Sequence, residues 1–501
     1  MSDEHQEKHS TLQDIIALRK EKVHQLREMG VNPYPYSFEV THKSQEIIDN
    51  YESLENQEVS VAGRMMSIRI MGKASFVHIM DGKGKIQIYL SQQDIGEKAY
   101  AIFKMLDIGD FIGIKGRVMK TRTGEVTIKG ESMTLLCKNI RPIPIVKEKD
   151  GVLHDAFRDK ELRYRKRYLD LIVNPDVHEI FIKRAAILRW TREFFDAREY
   201  LEVETPILQP VYGGANARPF VTFYNALDTN FYLRIADELY LKRLLVGGFE
   251  KVYEISKNFR NEGIDRLHNP EFTAIEFYEV YVDYEYMMDL VEEYIQTIAE
   301  KSGKMTLTYE GHMIDFSVPF QRKAMFDLFE EFLGTDIREY EIPDLQALYK
   351  KLGRKVDSAW NYGQLINELF KECVESHLIQ PTFVIDYPKA ISPLAKIKRD
   401  GNERLVERFE LYIAGNEYAN AFTELNDPLD QRERLENQAK LRELGDLEAQ
   451  VVDEDFLQAM ETGMPPTGGV GIGLDRLIML MTEQSSIKDV ILFPAMRPET
   501  P

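Results

Sequence analysis

The feature that most constrains this chain is the stretch at residues 251–281, which predicts two β-strands joined by a charged loop. Aromatic and β-branched residues are frequent in the first segment, 252–260, and in the second, 272–278. The segment between them begins with Asn, Glu, Gly and Asp at 261–265, residues that are typical of a turn. The sequence therefore predicts a hairpin with a charged loop, and the rest of the chain is organised around it.

Each predicted strand of this hairpin has one apolar face and one face with ionisable groups, because side chains alternate with a period of two. On the second strand, the face with ionisable groups consists of Phe272, Ala274, Glu276 and Tyr278. On the first strand, it consists of Glu254, Ser256, Asn258 and Arg260. A solvated outer face would give the same alternation. A functional site is favoured by Arg260 at one mouth of the loop, by His268-Asn269-Pro270 at the other, and by an aromatic residue in register with a carboxylate.

The charge distribution favours one polyanion-binding segment in an acidic protein. The chain of 501 residues has a net charge of −19, which alone argues against a nucleic-acid-binding protein. Residues 59–138, however, contain 13 Lys and Arg against 7 Asp and Glu, a net charge of +6, which leaves −25 for the remainder. A basic segment of this kind is expected if it alone contacts nucleic acid.

Length and composition predict a multidomain enzyme of the cytoplasm. The length predicts two or three domains, and 44% apolar with 29% charged residues is ordinary for a globular enzyme. The sequence contains no run of about 18 apolar residues, so no membrane helix is expected. The polar N-terminus lacks a signal-peptide core. The two cysteines, Cys137 and Cys373, are too few for a zinc site or a disulfide framework.

The basic segment predicts a small β-barrel. Five strands are expected at 59–70, 74–80, 85–90, 110–120 and 125–128, with a helix at 96–106 between the third and the fourth. This order matches an OB barrel, a common binder of single-stranded nucleic acid. Phe76, His78 and Gln87 fall on the central strands, where bases would stack and hydrogen-bond, although core packing or a surface position explains each residue singly.

Two later segments add candidate ligand-binding groups. Antiparallel strands are expected at 408–413 and 417–424 around Gly415-Asn416. A two-residue turn there places Glu410 and Glu417 on one face and leaves Asn420 on the other, unless a β-bulge intervenes.

The second segment with candidate ligand-binding groups is the glycine-rich stretch 468–476. It does not fit a dinucleotide-binding fingerprint, because no βαβ unit follows it. It is better interpreted as a bare strand that admits a planar ligand, with Arg476 at a helix N-terminus.

Three separated segments resemble, in order, motifs 1, 2 and 3 of the class II aminoacyl-tRNA synthetases. They are the helix, strand and proline at 178–206, FRNEG…HNPEF at 259–272, and GIGLDR at 471–476. The OB module is similar to that of the subclass for lysine, aspartate and asparagine. Three further segments resemble the bacterial lysyl branch: GGANARPF at 213–220, ADELYLKRL at 236–244 and NAFTELND at 420–427. The resemblance extends from about residue 11 to Arg497.

The resemblance implies an α+β protein with four parts. They are an N-terminal helical extension at 1–55, an OB-fold anticodon-binding domain at 56–141, a linker at 142–177 and a class II catalytic domain at 178–501. The catalytic domain is expected to contain a large antiparallel sheet, flanking helices and a mostly helical insertion around 284–376. Resemblance to motif 1 also implies a homodimer.

The implied activity is the formation of lysyl-adenylate from L-lysine and ATP, followed by transfer of lysine to the 3′ end of tRNA(Lys). Arg260 is expected to bind the α-phosphate and the lysine carboxylate, and Arg260 and Arg476 are the expected catalytic residues. The other expected ATP contacts are Glu262 to the adenine amino group, Phe272 and Arg476 around the adenine ring, His268 and Asn269 at the outer phosphates, and Glu410 and Glu417 through Mg²⁺.

The resemblance also implies a lysine pocket and an anticodon site. Glu238 and the Gly214 backbone are expected at the α-amino group, and Glu276, Tyr278 and Glu424 at the ε-ammonium, with Asn420 beside them. The expected anticodon readers are Arg69, Phe76, Gln87 and Glu125.

Competing interpretations are weaker. An aspartate or asparagine enzyme would place cationic groups in the pocket where this chain has Glu276 and Glu424. A paralogue that lysylates a translation factor would lack the OB module. A non-catalytic RNA-binding protein has no need of Arg260, Glu417 and Arg476 together.

Overall fold

The computed structural model describes residues 11–144, 147–149, 152–154, 157–357, 360–443 and 450–499. The chain divides into two compact units, one ending at Arg158 and the other beginning at Asp159. The finer predicted domain bounds stay predictions. In the described part of the chain, no helix combines the length and the apolar character that a membrane span requires.

The first unit is built on a closed five-stranded barrel of order β1-β2-β3-β5-β4. Its strands are β1 Glu58–Met71, β2 Ala74–Met80, β3 Lys85–Ser91, β4 Phe111–Lys120 and β5 Val126–Cys137, followed by β6 Lys147–Lys149 and β7 Val152–His154. Its helices are α1 Leu12–Glu28, α2 Ser44–Asp49, α3 Tyr51–Leu54, α4 Gln92–Ile95 and α5 Glu97–Met105. Barrel closure with a helix between the third and fourth strands confirms the predicted OB fold, although β5 runs nine residues past the predicted end at Ile128.

The second unit is built on an eight-stranded sheet of order β16-β17-β18-β19-β20-β13-β12-β8. Its strands and those of two smaller sheets are β8 Leu201–Glu202, β9 Leu208–Gln209, β10 Val221–Tyr224, β11 Thr229–Leu233, β12 Lys251–Phe259, β13 Glu271–Val280, β14 Thr306–Tyr309, β15 His312–Asp315, β16 Gln321–Ala324, β17 Thr382–Pro388, β18 Leu405–Ile413, β19 Asn416–Thr423 and β20 Thr467–Gly473. The six strands from β17 to β12 are antiparallel, as predicted, but both edge strands pair in parallel. The sheet is therefore mixed.

Helices flank this sheet. They are α6 Lys160–Arg165, α7 Arg167–Val173, α8 Pro175–Asp196, α9 Glu238–Val246, α10 Tyr284–Lys301, α11 Met325–Leu333, α12 Ile342–Lys351, α13 Tyr362–Cys373, α14 Pro428–Glu443, α15 Glu454–Gly463, α16 Leu474–Met481 and α17 Ile487–Val490, with 3₁₀ turns at Glu375–His377 and Lys389–Ile391. Between α10 and α11, strands β14 and β15 lie where the sequence predicts a β-like interlude, at 305–318, within the mostly helical insertion.

One face of the sheet packs on a large apolar core. Ile275 and Phe277 of β13 are fully buried, and the ring centroids of Phe277 and Phe195 on α8 lie 4.7 Å apart. Tyr294 of α10 joins the same cluster. Because β-strand side chains alternate, this packing turns Phe272, Glu276 and Tyr278 to the opposite face.

The segment 160–173, which the sequence placed in a linker, packs within the second unit. The guanidinium of Arg167 is buried and donates to the carbonyl oxygens of Leu492, at 3.1 Å, and Lys488, at 2.7 Å. It also pairs with Asp170. The charged segment 160–173 has the pattern of a solvated helix, yet its Arg167 is buried. Burial is tolerated because backbone carbonyl oxygens from a distant part of the sequence accept the hydrogen bonds of this guanidinium.

Candidate active site

The polar face of the sheet lines a cleft with a cavity of about 480 Å³. All residues predicted to bind ATP or lysine line it: Gly214, Glu238, Arg260, Glu262, His268, Asn269, Phe272, Glu276, Tyr278, Glu410, Glu417, Asn420, Glu424 and Arg476. Their convergence on one cavity is a finding, while the role of each residue toward a ligand stays a prediction.

Strand register sets the order of these side chains across the cleft. Glu276 on β13 lies opposite Gly471 on β20, Gly471 lies opposite Asn420 on β19, and Asn420 lies opposite Glu410 on β18. Neighbouring strands are about 4.8 Å apart, so this row spans roughly 14 Å. No atom comes closer than 3.6 Å to the position that a Cβ of Gly471 would occupy, which leaves the middle of the row open.

A β-bulge brings Asn420 into this row. The turn between β18 and β19 is at Ala414-Gly415, one residue before the predicted position, and both residues have positive φ. Leu411 pairs with Ala419, but Tyr412 pairs with Glu417, so Tyr418 is the extra residue. An extra residue reverses the alternation beyond it. Glu410, Glu417 and Asn420 consequently share the cleft face.

One end of the cleft is lined by buried carboxylates. Glu238 in the first turn of α9, Glu276 on β13 and Glu424 just after β19 are each less than 10% exposed. The backbone N–H of Asp237 donates to Glu276 Oε1 at 3.2 Å, and the Tyr278 hydroxyl donates to Glu276 Oε2 at 3.3 Å. Buried carboxylates require a cationic partner or several hydrogen-bond donors.

The structure adds a residue that the sequence analysis missed. Lys242 Nζ lies 2.6 Å from Glu238 Oε1 and 2.5 Å from Glu424 Oε2, and its side chain is fully buried. The spacing of four residues between Glu238 and Lys242 on a helix was the available signal, since such residues are neighbours on the helix surface. Glu424 is distant in sequence, and nothing in the sequence joins it to this pair.

Two of the pocket carboxyls, Glu276 and Glu424, have raised pKa values. Burial, together with Asp237 and Glu238 nearby, raises the pKa of Glu276 well above its usual range. Burial raises the pKa of Glu424 to about 8, although Lys242 opposes the shift. Burial also lowers the pKa of a lysine, but Glu238 and Glu424 outweigh this effect and raise the pKa of Lys242. Burial with too few cationic partners therefore favours the protonated forms of Glu276 and Glu424 in the absence of a cationic ligand.

Two glycines of β20 make room for the protein's own side chains. A Cβ on Gly468 would lie 2.8 Å from Cγ of Met287. A Cβ on Gly469 would lie 2.1 Å from Glu424 Oε1 and 2.3 Å from Cε1 of Tyr278. Gly469 thus makes room for the walls of the carboxylate pocket, whereas Gly471 and Gly473 leave space of the kind predicted for a planar ligand.

The other part of the cleft contains cationic and aromatic groups. The guanidinium of Arg260 lies 5.2 Å from the ring centroid of Phe272. Arg476 donates to the carbonyl oxygen of Glu417 at 2.7 Å and lies 3.1 Å from His268 Nε2. Because Arg476 can only donate, His268 accepts at Nε2 and presents its N–H at Nδ1 to Asp265, 2.8 Å away.

Asn269 and Glu262 differ in how firmly they are fixed. The Asn269 amide donates to the carbonyl oxygen of Glu271 at 2.6 Å, and its oxygen accepts from the N–H of Ala495 at 3.1 Å. Asn269 therefore joins the end of the loop to the segment around Ala495. The second N–H of its amide is not used in these two hydrogen bonds. Glu262 is exposed on the loop.

The two predicted metal ligands lie in different environments. Glu410 accepts from the hydroxyls of Tyr387, at 2.9 Å, and Tyr412, at 2.6 Å, and it pairs with Arg408. Burial and the nearby Glu410 carboxylate raise the pKa of Glu417. Within the described ranges, no group of three or more His, Cys, Asp and Glu side chains is arranged to hold a metal ion.

Arg184 of α8 is a second residue that the sequence analysis missed. It pairs with Asp475 and donates to the Thr273 hydroxyl at 3.0 Å, while Asp475 accepts from the N–H of Thr273 at 2.7 Å. This junction fixes the first turn of α16, which carries Arg476, against β13. Its three members are too far apart in sequence for any spacing rule to connect them.

Three of the predicted anticodon readers, Arg69, Phe76 and Gln87, lie on the adjacent barrel strands β1, β2 and β3, and the fourth, Glu125, immediately precedes β5. Arg69 pairs with Phe76 across β1 and β2, and the ring centroids of Phe76 and Tyr89 are 5.2 Å apart. Gln87 donates to Glu125 Oε2 at 2.7 Å. His78 Nε2 lies 2.9 Å from Glu125 Oε1, so His78 helps to fix the Glu125 carboxylate.

Each of the two units of the chain matches a known protein family. The family described as "tRNA synthetases class II (D, K and N)" matches residues 159–497, and the family described as "OB-fold nucleic acid binding domain" matches residues 59–136.

Similar curated proteins carry the name lysine–tRNA ligase. One from Carboxydothermus hydrogenoformans is 53% identical over 98% of this chain and 99% of its own length. One from Moorella thermoacetica is 51% identical over 97% of this chain and 98% of its own. One from Christiangramia forsetii is 52% identical over 96% of this chain and 86% of its own.

Proposed function

The chain belongs to the class II tRNA synthetases for aspartate, lysine and asparagine, and we propose that within this family it joins L-lysine to tRNA with the use of ATP. The observation that carries the choice of lysine is the pocket of three buried carboxylates, Glu238, Glu276 and Glu424. Aspartate and asparagine present one ammonium group, whereas lysine presents two.

The proposed first step is attack of the lysine carboxylate on the α-phosphorus of ATP. A new O–P bond forms, the bond between the α-phosphorus and the bridging oxygen breaks, and pyrophosphate leaves. The carboxylate is already ionised, so the protein need not supply a base. Catalysis then consists of holding two anions together and stabilising charge at phosphorus. In the second step a terminal tRNA hydroxyl attacks the lysyl carbonyl, and AMP leaves.

Arg260 is the residue best placed for this step. Its guanidinium lies beside Phe272 at the cleft. Among the described residues its side chain makes a single hydrogen bond, to the Ile235 carbonyl oxygen, which is long at 3.4 Å. An arginine remains charged and can bridge two oxyanions with its planar fork. We propose that Arg260 contacts both the α-phosphate and the lysine carboxylate.

The remaining nucleotide contacts follow from the same cleft. Phe272 and Arg476 are proposed to enclose the adenine, and Glu262 to accept from its amino group. His268 and Asn269 are proposed at the outer phosphates, where the Arg476–His268 contact supports a shared anion-binding surface.

Mg²⁺ fits the cleft as a companion of ATP. Mg²⁺ takes oxygen ligands and commonly retains phosphate oxygens and waters, so two carboxylates suffice. After burial, the nearby Glu410 carboxylate is the next cause that raises the pKa of Glu417, and a divalent cation between the two would relieve this repulsion. Glu410 and Glu417 would hold the ion, which would supply charge neutralisation on the phosphates.

In the lysine pocket, Glu238 and the Gly214 backbone are proposed at the α-amino group. Glu276, Tyr278 and Glu424 are proposed at the ε-ammonium, with Asn420 nearby. A charged hydrogen bond contributes about 1.5–3 kcal/mol, and an unpaired buried carboxylate is at least as unfavourable. A neutral isostere of lysine is therefore rejected, and ornithine is the harder competitor.

Two wider proposals concern assembly and location. An apolar surface includes Leu208, Val221, Phe223 and Leu227, each about half exposed or more, around strands β9 to β11. A patch of this kind marks a protein interface, and it supports the proposed homodimer. We also propose that the protein acts in the cytoplasm, because its proposed substrates include tRNA and ATP.

The test of function is lysine-dependent exchange of pyrophosphate with ATP, measured with each of the twenty amino acids. We expect lysine to support the fastest exchange, and aminoacylation to require tRNA(Lys). Exchange driven by aspartate or asparagine would contradict the proposal.

A further inference from the structure

Lys242 places a positive charge directly behind the carboxylates of the pocket: its side chain is fully buried, and Glu238 and Glu424 lie between it and the cavity. Its Nζ contacts one oxygen of Glu238 and one oxygen of Glu424, both within 2.6 Å, so those two oxygens are at most about 5 Å apart. Without the ammonium group between them, two buried carboxylates at this separation repel strongly. Lys242 therefore holds together two walls that come from opposite ends of the domain's sequence.

The charges in the pocket can be counted. Glu238, Glu276 and Glu424 contribute −3 when ionised, and Lys242 contributes +1, which leaves −2. Lysine offers two ammonium groups, and its carboxylate is assigned to Arg260 outside this set. With all three carboxylates ionised, as a bound dication favours, the residual charge of the pocket is opposite and equal in magnitude to that of the two ammonium groups of lysine. Without lysine, burial favours the protonated forms of Glu276 and Glu424.

Groups behind the pocket alter this count little. Arg234 lies 3.2 Å from Asp237 Oδ1 and 2.6 Å from Glu254 Oε1, so one cation serves both acids. Burial raises the pKa of Asp237 to about 7, and this set therefore carries less than one full negative charge at neutral pH.

Lys242 also determines which carboxylate oxygens remain for a ligand. It uses Glu238 Oε1 and Glu424 Oε2. Both oxygens of Glu424 are buried without a hydrogen-bond partner among the described residues, and the ion-pair contact with Lys242 is at Oε2. A buried acceptor of this kind is strongly disfavoured unless a donor arrives with the ligand.

We propose that Lys242 is a specificity-determining positioning residue, whose ammonium group cancels one pocket carboxylate and leaves a charge that matches the two amino groups of lysine. The inference rests on the proposed function. It predicts that the pocket discriminates by the number of positive charges as well as by shape, because an excess carboxylate would stay unpaired or bind a proton in place of substrate.

Three variants and one control test the inference by pyrophosphate exchange. Lys242→Met removes the charge at similar length, Lys242→Gln keeps an amide donor without the charge, and Lys242→Arg keeps the charge. The control is Lys251→Met, because Lys251 pairs with the buried Glu279 at 2.9 Å but does not line the cleft. Its KM values should equal those of the wild type.

We expect the Met and Gln variants to raise the KM for lysine at least about tenfold, the factor that corresponds to one weakened charged contact. The KM for ATP should change less than about twofold, since the nucleotide contacts lie elsewhere in the cleft. The two variants should also depend more steeply on pH between 7 and 9 than the wild type, because Glu424 then titrates without its counter-charge. The Arg variant should lie closer to the wild type than either.

A merely structural role would lower the amount of folded enzyme and leave the lysine KM and its pH profile unchanged, which would overturn the inference. Equal effects of Gln and Arg would overturn it as well. Absence of lysine-dependent exchange in the wild type would instead refute the proposed function.

If the Met and Gln variants do not fold, the wild-type chain still provides a test. Inhibition of lysine-dependent exchange by 1,5-diaminopentane is compared with inhibition by pentylamine. We expect the diamine to have an inhibition constant at least about tenfold lower, as one additional charged contact implies. Equal constants would overturn the charge match.

Discussion

Asn420 lies directly opposite Glu410 across strands β18 and β19, although unbroken alternation from the turn would place it on the far side of the sheet. The extra residue, Tyr418, makes the difference, and Tyr418 itself is buried. The bulge therefore serves two purposes: it buries an aromatic ring in the core and it turns Asn420 toward the cleft. Bulges are frequent beside functional sites for this reason.

Arg260→Ala should lower kcat for pyrophosphate exchange by about 10²–10³, since one positioned donor at a reacting oxyanion contributes that factor. The melting temperature should change little, because the hydrogen bond from the Arg260 side chain to the Ile235 carbonyl oxygen is long, at 3.4 Å. Arg266→Ala is the control on the same loop: Arg266 pairs with Glu310 outside the cleft. A comparable loss of kcat in the control would contradict the role of Arg260.

Glu424→Gln should raise the KM for lysine by at least about tenfold while the KM for ATP stays nearly constant, because a charged contact becomes a neutral one. Steady-state exchange kinetics with each substrate varied in turn give both constants. Glu271→Gln, on an exposed side chain near the loop, should leave both unchanged. Equal effects of Glu424→Gln on lysine and ATP would argue against its ε-ammonium role.

Lysine binding should become tighter as the pH rises from about 6.5 to 8.5. Glu424, with its pKa raised to about 8 by burial, is largely protonated at the lower end of this range. An ammonium ligand favours the ionised carboxylate, so binding at pH 7 displaces a proton. Calorimetry in phosphate and in Tris should show different apparent enthalpies that reveal this proton release. Identical enthalpies in the two buffers would refute the prediction.

Arg184→Met should destabilise the protein by about 3–5 kcal/mol, because it leaves the buried carboxylate of Asp475 without its cation. The matched control is Arg192→Met on the same helix, where Arg192 pairs with Glu202 at an exposed position. An exposed pair contributes only about 0–1 kcal/mol. Denaturant unfolding distinguishes the two, and equal losses would show that Arg184 has no special role.

Phe76→Ala should raise the KM for tRNA by about 5- to 150-fold, which corresponds to about 1–3 kcal/mol for a lost stack between a base and an aromatic ring. Exchange of pyrophosphate, which needs no tRNA, should be unaffected. Tyr36→Ala removes a fully exposed aromatic side chain of the same unit and serves as the control. An unchanged aminoacylation KM in the Phe76 variant would remove Phe76 from the anticodon site.

Local sequence patterns were enough to predict several elements closely. The period of two at 272–278 predicted which side chains of β13 face the cleft, and the pairing of Asn258 with Phe272 and Glu254 with Glu276 confirms that register. The barrel strands β2 and β3 were predicted within one residue at each end. These predictions succeed because alternation and turn residues act between near neighbours in the chain.

The sequence by itself determined the family, the barrel, the polar face of the hairpin and the residues that converge on the cleft. Only the tertiary structure decided that Lys242 joins Glu238 to Glu424, that Arg184 fixes Asp475, and that Tyr418 forms the bulge beside Asn420. The physical reason is burial. A charged or extra residue is tolerated inside a protein where a distant segment supplies its ion-pair, hydrogen-bond or packing partners, and no local sequence pattern indicates which segment that is.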